Sequence, residues 1–391
     1  MPTESFNTLS VHAGEQLNEH FGALSVPIYP ASVFAFPDAD EGAAVHNELK
    51  PGYYYGRLGN PTTAALEMAV AELENAEGAI AFSSGMAAVT AAVLAVCKSG
   101  DHLIAPASMY STAANLFRYL EDRFHITSTL IDATAAENYR VATKENTKLY
   151  WLETPSNPMM QITDLRAVST IASELGITTV ADNTFATPYN QRPLDHGVDA
   201  VIHSATKYLG GHSDLTAGLL AGNKKIVEPA RHEAGKLFGG NIAPQIAWLV
   251  MRGIKTLGLR MERHNQNASA LANMFIGRRT VQSTYYPGLE SHRNHNIAKS
   301  QMRGFGGMIG IDVGAFDSAK AFINNLRLCK IATSLGGVET IIQHSASMTH
   351  ATFSPEARAA AGISDGLLRL SVGIEDVDDL MNDFEQALSK I

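Results

Sequence analysis

Cysteine is scarce in this sequence: its 391 residues include only Cys97 and Cys329, which form no CxxC pair. This excludes a disulfide framework and a paired-cysteine metal or redox motif, and it predicts two buried, reduced thiols. No apolar run reaches about 18 residues, so no membrane span is expected. The opening stretch has no basic segment followed by an apolar one, so we expect no secretory signal and a cytoplasmic protein.

Charge is also scarce. Charged residues make up 18% of the sequence, below the globular average of about 25%. A chain of this length with so little solvated surface is expected to form two or three compact units and to bury part of its surface against copies of itself. The net charge is −9 and no dense block of Lys and Arg occurs, so nucleic acid and anionic membranes are not expected partners.

From Asn60 onward, short apolar runs alternate with helix-like stretches. A helix is predicted after Asn60, because Asn is a good cap and Pro61 suits the first helical position. The apolar runs lack alternation with polar residues, which is typical of strands buried on both faces. Strands are predicted at "GAIAFS", "DHLIAP", "ITSTLID", "TKLYWLE", "TTVADN", "DAVIHS" and "TAGLLAG". The sequence therefore predicts an α/β fold with a mainly parallel central sheet.

The pattern changes after about residue 244. A long helical stretch, in which Gly253 and Gly258 predict a bend, precedes a smaller α+β unit. That unit has predicted strands "GGMIGIDV" and "LLRLSVGI" and closes with the helix "DVDDLMNDFEQALSK". Residues 1–59 lack periodicity and are rich in Gly, Pro and aromatics, so they need a scaffold or a partner subunit to order them. We therefore divide the chain into residues 1–59, 60–250 and 251–391.

Polar clusters follow several predicted strands, where ligands bind in open α/β sheets. Ser84, Gly85 and Met86 lead from a strand into a helix, whose free N–H groups and dipole suit a phosphate. An ordinary turn is the alternative. Asn157 ends a second strand, where it is either a binding group or a turn residue. Asp182 ends a third; it is either a carboxylate paired with a cation or a helix cap.

Lys207 follows the predicted strand "DAVIHS" and precedes two glycines. A lysine in this position is rarely fully buried without a role. With a lowered pKa, its amine forms a Schiff base with an aldehyde. Ser204 and Thr206 are then placed to donate to an adjacent anion. The alternative is a lysine paired with a carboxylate.

These clusters together call for a ligand with a phosphate, an aldehyde and a basic ring nitrogen. Pyridoxal 5′-phosphate has all three. Asp182 lies one strand–helix step before Lys207, where a carboxylate would keep the ring nitrogen protonated and the ring electron-withdrawing. The sequence contains no HExxH, no GxSxG and no paired CxxC, so we expect no metal site.

Eight stretches between residues 53 and 376 occur in a recognisable order: "YYYGRLGNPT", "SSGMAA", "ETPSNP", "ADNTFATPY", "HSATKYLGGHSD", "SLGGVET", "ASMTH" and "LLRLSVGIED". In this ordered set the chain resembles the Cys/Met-metabolism family of fold-type I pyridoxal-phosphate enzymes, which have an aspartate-aminotransferase-like fold. The resemblance is greatest to methionine and cystathionine γ-lyases. Cystathionine γ-synthase and O-acyl-homoserine sulfhydrylases are near relatives.

The resemblance implies residue roles. Lys207 resembles the lysine that carries the cofactor, and Asp182 resembles the partner of the ring nitrogen. Tyr110 resembles the tyrosine that stacks on the ring and is a catalytic acid. A phosphate cradle is implied at Ser84, Gly85, Met86, Ser204 and Thr206, completed by Tyr55 and Arg57 of a neighbouring subunit. Groups that hold the substrate are implied at Asn157, Ser334, Arg369, Thr112 and Tyr55.

The same resemblance implies an assembly and a use for each unit. Residues 1–59 would form an arm that reaches a neighbouring subunit, residues 60–250 a large cofactor-binding domain, and residues 251–391 a C-terminal domain. The expected assembly is a homotetramer, built as a dimer of dimers with shared active sites.

The expected reaction is γ-elimination on a γ-substituted amino acid. One departure bears on the substrate: Thr112 stands where most methionine γ-lyases have a cysteine, which counts against methionine itself. The "GGHSDLTAG" stretch and the carboxyl end, residues 339–380, resemble the lyases more than the sulfhydrylases. A γ-replacement transferase shares every implied site residue and is the main alternative. A binding module that kept the fold but lost the chemistry is the other.

Overall fold

The computed structural model describes residues 5–15, 21–349 and 362–391. The described residues form a central seven-stranded sheet. Its strands are β1 (Gly78–Phe82), β2 (His102–Pro106), β3 (Thr127–Ile131), β4 (Thr147–Glu153), β5 (Thr178–Asp182), β6 (Ala200–Ser204) and β7 (Gly218–Gly222). Each of the seven predicted strands is confirmed. The inner strands are buried between helices on the two faces of the sheet, whereas β3, at one edge, is only partly buried.

The strand order in this sheet is β1-β7-β6-β5-β4-β2-β3, and β7 alone among them runs antiparallel to its neighbours. The predicted mainly parallel sheet is therefore confirmed. Helices and helical turns begin before and between the strands: α1 (Phe6–His12), α2 (Ala39–His46), α3 (Pro61–Glu74), α4 (Gly85–Val96), α5 (Ser111–Phe124), α6 (Glu137–Ala142), α7 (Leu165–Leu175), α8 (Thr187–Asn190) and a 3₁₀ turn (Pro193–His196). After β7 come α9 (Lys224–Pro229) and a π-helical stretch (Ala230–Phe238).

Helix α3 begins as the sequence predicts. The Asn60 side chain accepts a hydrogen bond from Thr62 N at 2.9 Å, and Pro61 occupies the first helical position. The cap satisfies one of the N–H groups that a helix start leaves without a partner. Helix α3 then packs against β1, so its position fixes one edge of the sheet.

The long helical stretch is two helices, α10 (Pro244–Ile254) and α11 (Leu257–Phe275). The break between them falls between the two predicted glycines. A Cβ atom at Gly253 would lie 2.4 Å from the carbonyl oxygen of Leu209, so only glycine allows this close approach. The helix pair leads from the first sheet to the second.

A second sheet has the order β10-β11-β12-β9-β8. Its strands are β8 (Ser283–Tyr285), β9 (Met308–Asp312), β10 (Lys330–Ile331), β11 (Ile341–His344) and β12 (Leu367–Ser371). The remaining helices are α12 (His295–Gln301), α13 (Phe316–Asn324), the π-helical stretch Ser345–Thr349, and the closing α14 (Val377–Leu388). The predictions of β9, β12 and α14 are confirmed. The other three strands were not predicted, because runs of two to four residues are too short to show a period.

Residues 5–15 and 21–59 contain more regular structure than the sequence indicates, since α1 and α2 both lie there. Phe6 packs edge-on against Tyr189, which ties α1 to the rest of the chain. Cys97 and Cys329 are both buried and free, as predicted. No helix in the described ranges is long and apolar enough to cross a membrane. The unit boundaries at residues 59 and 250 stay predictions.

Candidate active site

A cavity of about 490 Å³ lies where β4, β5 and β6 end and α4 begins, and the second sheet closes its other side. The structure brings twelve of the fourteen predicted site residues to its wall: Ser84, Gly85, Met86, Tyr110, Thr112, Asn157, Asp182, Ser204, Thr206, Lys207, Ser334 and Arg369. They converge because the carboxyl ends of parallel strands meet at one edge of a sheet. The cavity is of a size that suits a small-molecule ligand.

Lys207 follows β6 and projects into this cavity. Its Nζ donates a hydrogen bond to Ser334 Oγ at 2.6 Å. Burial lowers the pKa of Lys207 to about 8, with a further lowering from the charge of Arg369 and an opposing effect from Asp182. A larger fraction of this amine is therefore neutral, and so nucleophilic, than in an exposed lysine.

Ser334 joins two of the predicted residues. Its hydroxyl accepts from Lys207, and its carbonyl accepts from Arg369 Nη2 at 2.7 Å. Its φ is +79°, a conformation that serine rarely adopts and that costs free energy. The two contacts hold the residue in this conformation at the cavity wall.

Arg369, on β12, is 5% exposed. Its Nη1 donates to Asn157 Oδ1 at 2.9 Å, while its Nε has no hydrogen-bond partner among the described residues. Burial lowers the pKa of Arg369 to about 10, so the guanidinium stays positive at neutral pH. A buried cation with a free donor is suited to a carboxylate, which it can bind through two parallel contacts.

Asp182 and Glu153 end the neighbouring strands β5 and β4 and are paired in register, so both side chains point to the same face. Burial raises the pKa of Asp182, while hydrogen bonds from Thr184 and the charges of His203 and Lys207 oppose that shift. Burial, and next the Asp182 charge, raise the pKa of Glu153 to about 8. No role for Glu153 is predicted from the sequence, although its position at the end of "TKLYWLE" matches that of Asp182 at the end of the neighbouring strand.

The opposite end of the cavity is built for an anion. Ser84 caps α4 by accepting from Ala87 N at 3.2 Å, and the first N–H groups of this helix face the cavity region. A Cβ atom at Gly85 would lie 2.8 Å from Ser204 Cβ, so any larger residue would displace the Ser204 side chain. Thr206 Oγ1 accepts from Ala217 N at 3.0 Å, which fixes the turn between β6 and Lys207.

The chemical groups that line the cavity, and their arrangement along it, fit pyridoxal 5′-phosphate. A helix start and hydroxyl groups suit the phosphate, Lys207 suits the aldehyde, and Asp182 suits the ring nitrogen. The described residues contain no group of three His, Cys, Asp or Glu side chains that could hold a metal ion.

A family model for Cys/Met-metabolism PLP-dependent enzymes matches residues 7–389. The chain belongs to this family. Its cofactor is pyridoxal 5′-phosphate, as the cavity indicates. The predicted fold class, α/β of fold type I with a second, smaller sheet, is that of the family, and the predicted resemblance is confirmed.

Relatives within the family match the chain along its whole length. L-methionine γ-lyase from Fusobacterium nucleatum subsp. nucleatum is 44% identical and covers 100% of both chains. Cystathionine γ-lyase from Bacillus subtilis is 46% identical and covers 98% of this chain and 99% of its own. The crystal structure of cystathionine γ-synthase from Xanthomonas oryzae pv. oryzae in complex with cystathionine superimposes with a TM-score of 0.93, at 40% identity and coverage of 99% and 98%.

Two of the predicted site residues, Tyr55 and Arg57, do not line this cavity. Tyr55 is 42% exposed, and the Arg57 guanidinium carbon lies 5.9 Å from its ring centroid. Arg57 lines a separate cavity of about 270 Å³ and donates to the carbonyl of Lys236. The predicted contact with a neighbouring subunit stays a prediction. Of the lyase-like carboxyl end, residues 350–361 lie outside the described residues.

A polar layer lies on the back of the sheet, behind the cavity. His203 Nε2 lies 2.5 Å from Glu74 Oε1, and both side chains are almost fully buried. Asn183 donates to the same Glu74 oxygen at 3.2 Å and to the carbonyl of Gln191 at 2.8 Å. Because Asn183 follows Asp182 and His203 precedes Ser204, this layer fixes the strand ends that carry both site residues.

Proposed function

We propose that this protein catalyses γ-elimination on a γ-substituted amino acid of the homocysteine, methionine or cystathionine type. The products are 2-oxobutyrate, ammonia and the released γ-substituent. The observation that carries the proposal is the placement of Lys207, with its lowered pKa, in one cavity with Asp182 and the buried Arg369. Identities of 44% and 46% to a methionine and a cystathionine γ-lyase support it.

The bound cofactor supplies an aldehyde carbon for covalent attachment and a ring that withdraws electrons from the substrate. Lys207 would hold it through Nζ. With the substrate bound, a free Lys207 Nζ would be placed to take the proton from Cα. Asp182 would keep a proton on the ring nitrogen. Arg369, with Asn157 and Ser334 beside it, binds the substrate carboxylate and so aims Cα at the lysine.

Tyr110 serves the second half of the reaction. Lys207 Nζ, once it has passed the Cα proton on to the bound cofactor, would take a proton from Cβ, and the Tyr110 hydroxyl would give a proton to the departing γ-substituent. Tyr110 is 40% exposed at the cavity wall, so its ring is available to stack on the cofactor. Water then releases 2-oxobutyrate and ammonia.

A γ-replacement transferase is the second candidate. It is favoured by the close match to a cystathionine γ-synthase structure and by Thr112, which replaces the cysteine found in most methionine γ-lyases. Such an enzyme would use an O-acyl-homoserine and add a thiol to the same unsaturated carbon. The leaving group in either case is a thiol, an acyl ester or a less common group such as a hydroxyguanidine.

The proposal includes the assembly and the surroundings of the enzyme. Residues 1–59 form an arm to a neighbouring subunit, residues 60–250 hold the cofactor and residues 251–391 form the C-terminal domain. The assembly is a homotetramer of two dimers with shared sites, located in the cytoplasm. Exposed aromatic side chains at Tyr54 and Tyr55 support a partner contact on the arm.

Product analysis tests the reaction type. The holoenzyme is given methionine, homocysteine, cystathionine, O-acetylhomoserine and canavanine, each with and without an added thiol, and 2-oxobutyrate is measured. Release of 2-oxobutyrate without thiol supports the lyase. If none forms until a thiol is added, and a thioether product appears instead, the transferase replaces it. The Lys207→Ala variant is the blank for both assays.

A further inference from the structure

Glu153 is a buried carboxylate beside the predicted site that the proposed mechanism does not use. It is 5% exposed and is the last residue of β4. Its register partner on β5 is Asp182, so the two carboxylates lie side by side on the face of the sheet that lines the cavity. A second buried acid next to the first is costly, because like charges repel strongly where water is excluded.

Both oxygens of Glu153 accept hydrogen bonds from the backbone of other site residues. Its Oε2 accepts from Tyr110 N at 2.9 Å, and its Oε1 accepts from Asn157 N at 2.8 Å. Tyr110 immediately precedes α5, and its side chain does not cap the helix. The hydrogen bond from its backbone N–H to Glu153 therefore helps to fix the backbone position from which the Tyr110 ring projects. Asn157 in turn accepts from Arg369 Nη1.

We propose that Glu153 is a positioning residue that acts on the site through Tyr110 and Asn157. This rests on the proposed function. Through these two contacts, one side chain orients both the Tyr110 ring and the Asn157–Arg369 pair that would receive the substrate carboxylate.

The Glu153→Gln variant tests the proposal in the holoenzyme. Glutamine keeps the size of the side chain, but its amide oxygen can accept from only one of the two N–H groups, and its NH₂ group must face the other. We expect the visible absorbance of cofactor bound at Lys207 to persist and its visible circular dichroism to change, because the Tyr110 ring shifts. We also expect kcat/KM to fall about a hundredfold, which is typical of a misplacement near 1 Å, with KM contributing at least tenfold.

Asp383→Asn is the matched control. Asp383 is also a buried carboxylate that accepts from backbone N–H groups, those of Arg327, Leu328 and Cys329, but it lies by the second sheet away from the cavity. It should lower the thermal unfolding midpoint and leave the circular dichroism of the cofactor and KM unchanged. If Glu153→Gln behaves in the same way, Glu153 is only a structural residue and the proposal is overturned.

A second variant keeps the test decisive if Glu153→Gln does not fold. Glu153→Asp keeps the charge and shortens the reach by one methylene, so it should change the circular dichroism and KM as the glutamine variant does. Wild-type values for both would overturn the positioning role. A wild-type protein that does not bind pyridoxal phosphate at Lys207 would instead refute the proposed function, so the two failures are distinguishable.

Discussion

Lys207 and Ser334 are 127 residues apart in sequence, yet Nζ of the lysine donates to the serine hydroxyl at 2.6 Å. The contact joins the end of β6 in the first sheet to the loop that precedes β11 in the second. It directs the amine across the cavity toward the region that Arg369 bounds. The position of the Lys207 amine therefore depends on both sheets.

The pH dependence of cofactor capture follows from Lys207. Because the neutral amine attacks the aldehyde, the rate at which cofactor-free protein captures pyridoxal phosphate should rise with pH and level off above about 8, the pKa of Lys207. An ordinary lysine, with a pKa near 10.4, would give a rate that is still rising there. The rate is measured by stopped-flow absorbance. Lys207→Ala should show no capture, and borohydride reduction followed by peptide mapping should find the label on Lys207 and on no other lysine.

Asp182 is expected to keep the ring nitrogen protonated. Removing one partner of a buried pair costs roughly 3–5 kcal/mol, and each 1.36 kcal/mol is about tenfold in rate. Asp182→Ala should therefore lose at least about a hundredfold in kcat. Near-wild-type turnover at full cofactor occupancy would contradict this role. Asp199→Ala is the control for loss of a carboxylate. Asp199 accepts a hydrogen bond from Thr179 N at the start of β5, at the opposite end of the strand from Asp182.

Thr112 is expected to limit activity on methionine. It lines the cavity in the first turn of α5, where a hydroxyl is better hydrated than a thiol. Thr112→Cys should raise kcat/KM for methionine relative to O-acetylhomoserine by about tenfold, the lower end of what one pocket group is worth. Thr170→Cys, on the exposed side of α7, is the control. An unchanged substrate ratio would remove Thr112 from the specificity determinants.

Tyr55 and Arg57 are expected to complete the phosphate site of a neighbouring subunit. Lys207→Ala and Arg57→Ala should each be inactive as pure assemblies. Mixed subunits should regain part of the activity, because a shared site leaves one site of a hybrid dimer intact. Subunit exchange is followed by native mass spectrometry. If subunits exchange but no activity returns, Arg57 does not complete the site of a neighbouring subunit.

The buried pair His203–Glu74 is expected to stabilise the fold. Both side chains are at most 1% exposed, so His203→Ala leaves a buried carboxylate without its main partner. The free energy of unfolding should fall by about 3–5 kcal/mol. His232→Ala removes a His–Glu contact that is 39% and 49% exposed, and it should cost little. Chemical denaturation of the cofactor-free proteins compares the two, and equal losses would refute the distinction.

Several features of the site are local in sequence and could be read there. Lys207, Asp182 and Ser84 each follow an apolar run that is buried on both faces, and each such run forms a strand because only a two-sided core suits it. Asn60 with Pro61 fixes the start of α3 for an equally local reason, the need to satisfy free N–H groups. The parallel sheet, the strand-end site and the order of its motifs are therefore determined by the sequence itself.

Other features depend on contacts between distant segments. Arg369 donates a hydrogen bond to Asn157, which is 212 residues away in sequence. Nothing in the sequence around either residue predicts this pairing. Glu153 lies beside Asp182 only when β4 and β5 pair in register, and it accepts from Tyr110 N only when the start of α5 comes within hydrogen-bond distance. The strained φ of Ser334 and the short strands of the second sheet are likewise set by packing. Such contacts form only when the two sheets enclose one cavity. The burial and the charge environment of each side chain in that cavity depend on residues from both sheets.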